Sequence, residues 1–275
     1  YAGYSVPVGV AVRLGGDAAI IPLAGRLTTA AGSLAGAAAL FWFLRLVLAG
    51  QKLIAAALAT FVFFGPLVGW WSHTLRPDVW ALTFETGAVL VLLLGHRSHP
   101  LRSALLAGLL FYAAWSCKQP YFCGLGGSLC FLCWRRQWRP AALLAVMSVC
   151  LWAITFALLG SGYREAFRGT VANNVYYLAL GLEFLRDMFV KSAPLWLLLS
   201  GAFLLRPKTS RTPAASPLAR DTLALGTFGL LIAAPLAFAA SCKLGASAYY
   251  YFTTLLMLSL VAAGLIATLA CTRLV

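Results

Sequence analysis

The sequence predicts an all-α, polytopic transmembrane bundle of about nine spanning helices, on three observations. Hydrophobic residues make up 62% of the 275 residues, with a mean hydropathy of +0.88, whereas soluble domains are ~45–50% apolar. Charged residues are only 10%, against roughly 25% in soluble domains. Finally, the loops between apolar runs alternate between basic and nearly neutral, which is how membrane topology is written.

The apolar runs fall at 27–49, 52–71, 78–95, 101–117, 119–134, 140–160, 193–205, 221–241 and 250–271. A spanning helix needs about 20 such residues. One set of loops is basic: Arg45 with Lys52, then 96–102, 135–140, 206–221 and Arg273. The other set is mixed or nearly neutral: the start to Arg26, 71–78, 118–120, 163–194 and 241–247. Basic loops belong in the cytoplasm, so the start is expected outside and the end inside. Residues 101–134 read as one helix would be about 50 Å long, too long for a ~30 Å hydrocarbon core. Pro120 disfavours helix at the residue before it, so two short helices are expected to meet near Lys118.

The whole chain, 1–275, reads as a single transmembrane domain. Residues 1–26, apolar but broken by Arg13, Gly15, Gly16 and Asp17, are expected to lie on the outer interface. Residues 163–192 mix charges with aromatics and suit an outer loop with amphipathic helices. Residues 206–221, rich in Pro, Ser and Thr, read as a cytoplasmic linker. No internal repeat is visible. The chain begins at Tyr1 without a Met, which suggests a fragment or a processed segment.

The basic balance, 21 Lys+Arg against 7 Asp+Glu, does not point to nucleic acid, because the charge sits in short loops rather than on one surface. The seven cysteines are scattered through apolar runs and give no disulfide framework. Cys130 and Cys133 have CxxC spacing inside an apolar run, which argues for packing. His96 and His99 lie in a basic loop on the side away from the acidic residues, so no metal ligands are assigned. The 124–127 GLGG stretch follows no strand and reads as helix packing or local flexibility, and Gly32 with Gly36 has the spacing that lets helices approach.

Ionisable groups near the membrane are costly and are functional candidates by default. Here they gather on the expected outer side: Arg26, Arg76, Asp78, Lys118 and Lys243. Glu85 follows Asp78 by seven residues, on the same face of one helix and two turns deeper. Arg76 and Lys118 can equally be interfacial anchors, Asp78 a helix cap, and Glu85 half of a structural ion pair.

At these residues the sequence resembles the integral-membrane glycosyltransferases of the GT-C class, of the bacterial protein-mannosyltransferase and aminoarabinose-transferase type. The elements that carry the resemblance are YSVPVGVAVRLGGDAAIIPLAGRL, LRPDVWAL with its Arg-x-Asp, LLAGLLFYAAWSCKQPYF with its Lys-x-Pro, FRGTVANNVYYL, and KLGASAYYYFTTLLMLSLVAAGL. They run in that order between Tyr4 and Leu265. The resemblance implies transfer of a sugar from a polyprenyl-phosphate donor to an acceptor (lipid, glycan or protein) on the outer face of a bacterial inner membrane. It implies Asp78 as a catalytic carboxylate, with Arg76, Lys118, Tyr121, Lys243 and Tyr250 binding substrate; Glu85 joins Asp78 as a catalytic candidate by its place two turns deeper on the same face. It leaves room for a divalent metal. The family's principal catalytic acid lies in a first outer loop that would precede Tyr1, Asp17 stands in a different motif, and Tyr249, Tyr250 and Tyr251 stand where many relatives have His. The alternative is a membrane transporter or lipid flippase, which would carry polar groups through to the cytoplasmic side; a non-catalytic assembly subunit would need no clustered outer charge.

Overall fold

The computed structural model describes residues 9–10, 13, 21–74, 76–118, 120–172, 174–204 and 216–270. These residues form a helical bundle: α1 (Ile21–Val47), α2 (Lys52–Phe64), α3 (Asp78–Gly95), α4 (Pro100–Cys117), α5 (Cys123–Trp134), α6 (Trp138–Leu158), α7 (Gly160–Ala172), α8 (Leu178–Lys191), α9 (Ala193–Leu204), α10 (Pro217–Ser241) and α11 (Phe252–Ala270), with 3-10 turns at Trp71–His73 and Ala248–Tyr251. Most of the 1–26 interfacial segment, including Asp17, lies outside the described residues, as do 206–215 of the linker and Arg273. Where described, both segments are helical: α1 starts at Ile21, and Ser216 caps α10 by accepting from the Ala219 N–H at 3.1 Å, so 217–221 are its first turn and more.

α1, α3, α6, α10 and the run Ala248–Leu269 are long and apolar enough to cross a membrane. α8 and α9, bent by 64° at Ser192, make a sixth crossing if they form one broken span. The apolar run 52–71 is a helix only to Phe64. Gly65 precedes Pro66 and is extended (ψ 176°), which ends α2. Likewise α5 begins at Cys123, after turns at 120–122 that Pro120 forces. α4 has 18 residues but carries Arg102, Ser103, Tyr112 and Ser116 and is less apolar than the five.

α11 runs through the middle of the bundle. Leu255, Leu256, Met257, Leu258 and Leu260 along it are all buried, and it packs on α10, α9, α2, α1 and α3. α6 does the opposite: it packs on α4 and leaves Val146, Val149, Ile154 and Leu158 exposed, as lipid-facing residues would be. Small residues set the close approaches. A Cβ on Gly32 would stand 2.9 Å from the Trp80 ring, one on Gly36 2.3 Å from Phe63, and one on Gly127 2.5 Å from the Gly229 Cα. The Trp80 indole N–H donates to the Thr28 carbonyl (2.8 Å) and the Thr83 hydroxyl to that of Gly32 (2.8 Å), tying α3 to α1. Cys130 is exposed and Cys133 half-buried; both are free thiols.

One end of the bundle is pinned by a buried carboxylate. Asp221, near the start of α10, accepts from the His96 Nε2 at 3.0 Å, from the Arg97 Nε and Nη2 at 2.8 and 2.7 Å, and from the Arg135 Nη2. The Gln137 amide donates to the His96 carbonyl at 2.8 Å. The α3–α4 and α5–α6 junctions and the head of α10 therefore meet at one point, so His96 does face an acidic residue, contrary to the sequence expectation. Because a carboxylate can only accept, the imidazole carries its proton on Nε2. Burial, with Arg97 and Arg135 alongside, pushes the imidazole down to about 4 from 6.5.

The sign of the resulting pH dependence follows. The unfolded chain takes up this proton near pH 6.5 and the folded chain only near pH 4. Stability is therefore full above pH 6.5 and declines as the pH drops through that window. Denaturation in mild detergent between about pH 8 and pH 4 should show this decline in the wild type and not in His96→Gln. The same acid sensitivity in both proteins would assign it to other groups.

Candidate functional site

The opposite end of the bundle gathers the charges that the sequence singles out. α4 ends at Cys117, and Lys118 is extended (φ −158°, ψ 120°), which turns its side chain off the helix axis. Its ammonium lies 2.7 Å from the Asp78 Oδ1 and 3.6 Å from the centroid of the Tyr249 ring. Asp78 is fully buried one residue inside the start of α3, with Pro77 in the capping position. The helix dipole favours a carboxylate in that turn, but the carboxylate is held by Lys118 rather than spent as a cap. Arg76 stacks its guanidinium 4.5 Å over the Trp71 ring, and Trp71 meets Tyr249 and Phe252 edge-on at 5.9 and 6.1 Å. Arg76, Asp78, Lys118 and Tyr249 thus form one cluster. Burial draws the Lys118 ammonium below the ordinary lysine range, and Asp78 pulls it back up.

Beside this cluster lies a cavity of about 480 Å³. Lys118 and Lys243 both line it. Its walls are Trp115, Pro120, Phe122, Trp152, Phe156, Phe167, Asn174, Tyr176, Ala240, Tyr249 and Tyr250. A short antiparallel pairing shapes one wall: the Tyr177 N–H donates to the Cys242 carbonyl (2.7 Å) and the Leu244 N–H to that of Val175 (2.9 Å), which brings Tyr176 and Lys243 together. Gly245, at φ +79°, makes the turn that follows. The Tyr249 and Tyr250 rings lie 4.4 Å apart.

Of the residues expected to form the site, Lys118, Lys243 and Tyr250 line the cavity. Asp78 and Arg76 do not line it: Asp78 is joined to it by Lys118, and Arg76 stacks on Trp71. Tyr121 is buried in the core. Glu85 stands apart from the cations: it accepts from the Gly124 N–H at 2.9 Å and from the Thr253 hydroxyl at 2.5 Å, joining α3 to α5 and α11. A Cβ on Gly124 would come within 2.6 Å of that carboxylate, so the first glycine of GLGG serves packing.

The walls that sequence reasoning missed without any signal are Trp152 and Phe156, apolar residues within α6; Trp115 and Phe167 were not singled out although they fall in the LLAGLLFYAAWSCKQPYF and FRGTVANNVYYL elements. Asn174 and Tyr176 fall in the second of these as well. Among the described residues no three His, Cys, Asp or Glu side chains are grouped to hold a metal ion, and no carboxylate lines the cavity. What the arrangement offers is two cations, an amide and hydroxyls set in an aromatic enclosure. Comparison of the chain with protein-family models, with curated proteins and with solved structures returns no match.

Proposed function

We propose that the chain is a membrane glycosyltransferase of the GT-C type that binds a polyprenyl-phosphate sugar donor in the 480 Å³ cavity. The observation that carries this reading is Lys118: its ammonium is oriented by a buried carboxylate and an aromatic ring, and it opens with Lys243 into a largely aromatic enclosure. A phosphate needs cations, and an isoprenoid and a sugar ring both suit aromatic walls. When the glycosidic bond breaks, the departing polyprenyl phosphate gains charge, and pre-placed cations stabilise it without reorganising.

In this reading Lys118 and Lys243 hold the donor phosphate, Tyr250 and Tyr249 flank it, and Asp78 acts through Lys118 as a positioning residue. Arg76, stacked on Trp71, adds its positive field to Asp78 and Lys118, while Tyr121 and Glu85 support the core. The path of the chain has nine crossings, with the start and the cavity on the outer face of a bacterial inner membrane. α2 and α5 then complete their crossings through the turns that flank them. The alternating loop charges support that path, as does the meeting of 96–97, 135–137 and 221 at one end while 71–78, 118 and 249 meet at the other. The acceptor is a lipid, glycan or protein at that face.

The test is transfer of labelled sugar from a polyprenyl-phosphate donor in membranes that contain the protein. Lys243→Ala is expected to lower the rate by about 10²-fold, as loss of one pre-placed charge does elsewhere, with protein levels unchanged. A rate within twofold of wild type would remove the cavity from the reaction.

A further inference from the structure

The Asp221 cluster carries more positive charge than its carboxylate can answer. Arg97 and Arg135 bind Asp221 directly, and Arg220, exposed on the first turns of α10, makes no ion pair among the described residues. Arg97 and Arg220 are both close enough to press like charge on the Arg135 guanidinium. His96 is neutral, held so by burial and by the same arginines. Three guanidiniums against one carboxylate leave a surplus of two positive charges. Of the other acidic residues among the described ones, Asp78 and Glu85 lie at the start and middle of α3, away from its Gly95 end, while Glu165, Glu183 and Asp187 lie on α7 and α8.

Guanidiniums held together in this way repel one another unless an anion joins them. Asp221 and His96 are almost fully buried and fix the edges that Arg97 and Arg135 turn inward, whereas Arg97 is half exposed and Arg135 about a third. The Arg135 Nε is buried; the outward donors of Arg97 and Arg135, with those of exposed Arg220, are left for a ligand outside. The depth of the site says where that ligand comes from. Trp134 and Trp138 flank Arg135 in the chain and are both exposed, and the Arg135 guanidinium lies 5.1 Å from the Trp134 ring. Exposed tryptophans beside arginines at the end of apolar helices are the signature of the headgroup layer.

We infer that Arg97, Arg135 and Arg220 form a second anion site, at the end of the bundle away from the cavity, that takes the phosphate of an anionic membrane lipid. Arginine suits this role because its planar fork binds phosphate through two parallel hydrogen bonds.

The purified protein in a neutral detergent tests it by thermal shift and native mass spectrometry, with phosphatidylglycerol, phosphatidylcholine and inorganic phosphate added separately. Phosphatidylglycerol is expected to raise the unfolding temperature and to remain bound, and phosphatidylcholine to do neither. Arg220→Gln, which leaves every bond to Asp221 in place, should weaken phosphatidylglycerol binding about tenfold, while Arg168→Gln on α7 should leave it unchanged. Equal stabilisation by phosphatidylcholine, or binding indifferent to Arg220→Gln, overturns the site. Inorganic phosphate matching the lipid at equal concentration overturns the assignment to a lipid. None of these outcomes depends on sugar transfer.

Discussion

Asparagine in place of Asp221 is expected to lower the stability of the fold by about 3 kcal/mol, measured by denaturation in mild detergent. Breaking a buried ion pair from one side costs about 3–5 kcal/mol, because the partner charges stay behind unanswered. The lower end applies here, since Arg97 is half exposed and can turn to water, where ion pairs are worth little. Arg135, about a third exposed and with its Nε buried, is left beside the α5–α6 junction with its charge unanswered. Asp187→Asn is the comparison. Asp187 pairs with Lys191 one turn along α8, at 2.8 Å, with both side chains more than a third exposed, and the loss there should be about 0.3–0.5 kcal/mol. Equal effects at the two positions would mean that Asp221 does not pin the junctions.

Much of the cluster around Lys118 was legible in the sequence because a charge in an apolar chain is expensive and must find a partner. Asp78 at a helix start and Lys118 two residues before Pro120 could be placed at one end from loop charge alone, and they meet. Glu85 shows where such reasoning stops. Its depth marked it as exceptional, but its partners are a backbone N–H on α5 and a hydroxyl on α11, contacts between segments far apart in the chain that no local pattern encodes. The cavity walls were hidden for a different reason. In a soluble helix an apolar face points to the core, but in lipid every face is apolar. Trp152 and Phe156 of α6 line the cavity while Ile154 between them is exposed, and nothing in their residue types separates the two environments. The break before α5 was read from Pro120, whereas Pro66, which stands beyond the end of α2 at Phe64, lay unused inside the run 52–71.

Methionine at Lys118 is expected to cost about 3–5 kcal/mol, because it leaves the Asp78 carboxylate buried without its ion-pair partner. The double variant Lys118→Met/Asp78→Leu should recover most of that loss, to within about 1 kcal/mol of wild type, since well-packed apolar residues usually replace a buried pair at little cost. The two variants together separate what the pair does for the fold from what it does for a ligand. A pair that apolar residues can replace without penalty is not required by the architecture, so its presence calls for another reason, and the cavity that Lys118 opens into supplies one. The double variant should therefore fold like wild type and yet fail to transfer sugar from a polyprenyl-phosphate donor. Transfer that survives in a well-folded double variant would show that Lys118 and Asp78 act only on each other, and the proposed donor site would lose its principal cation.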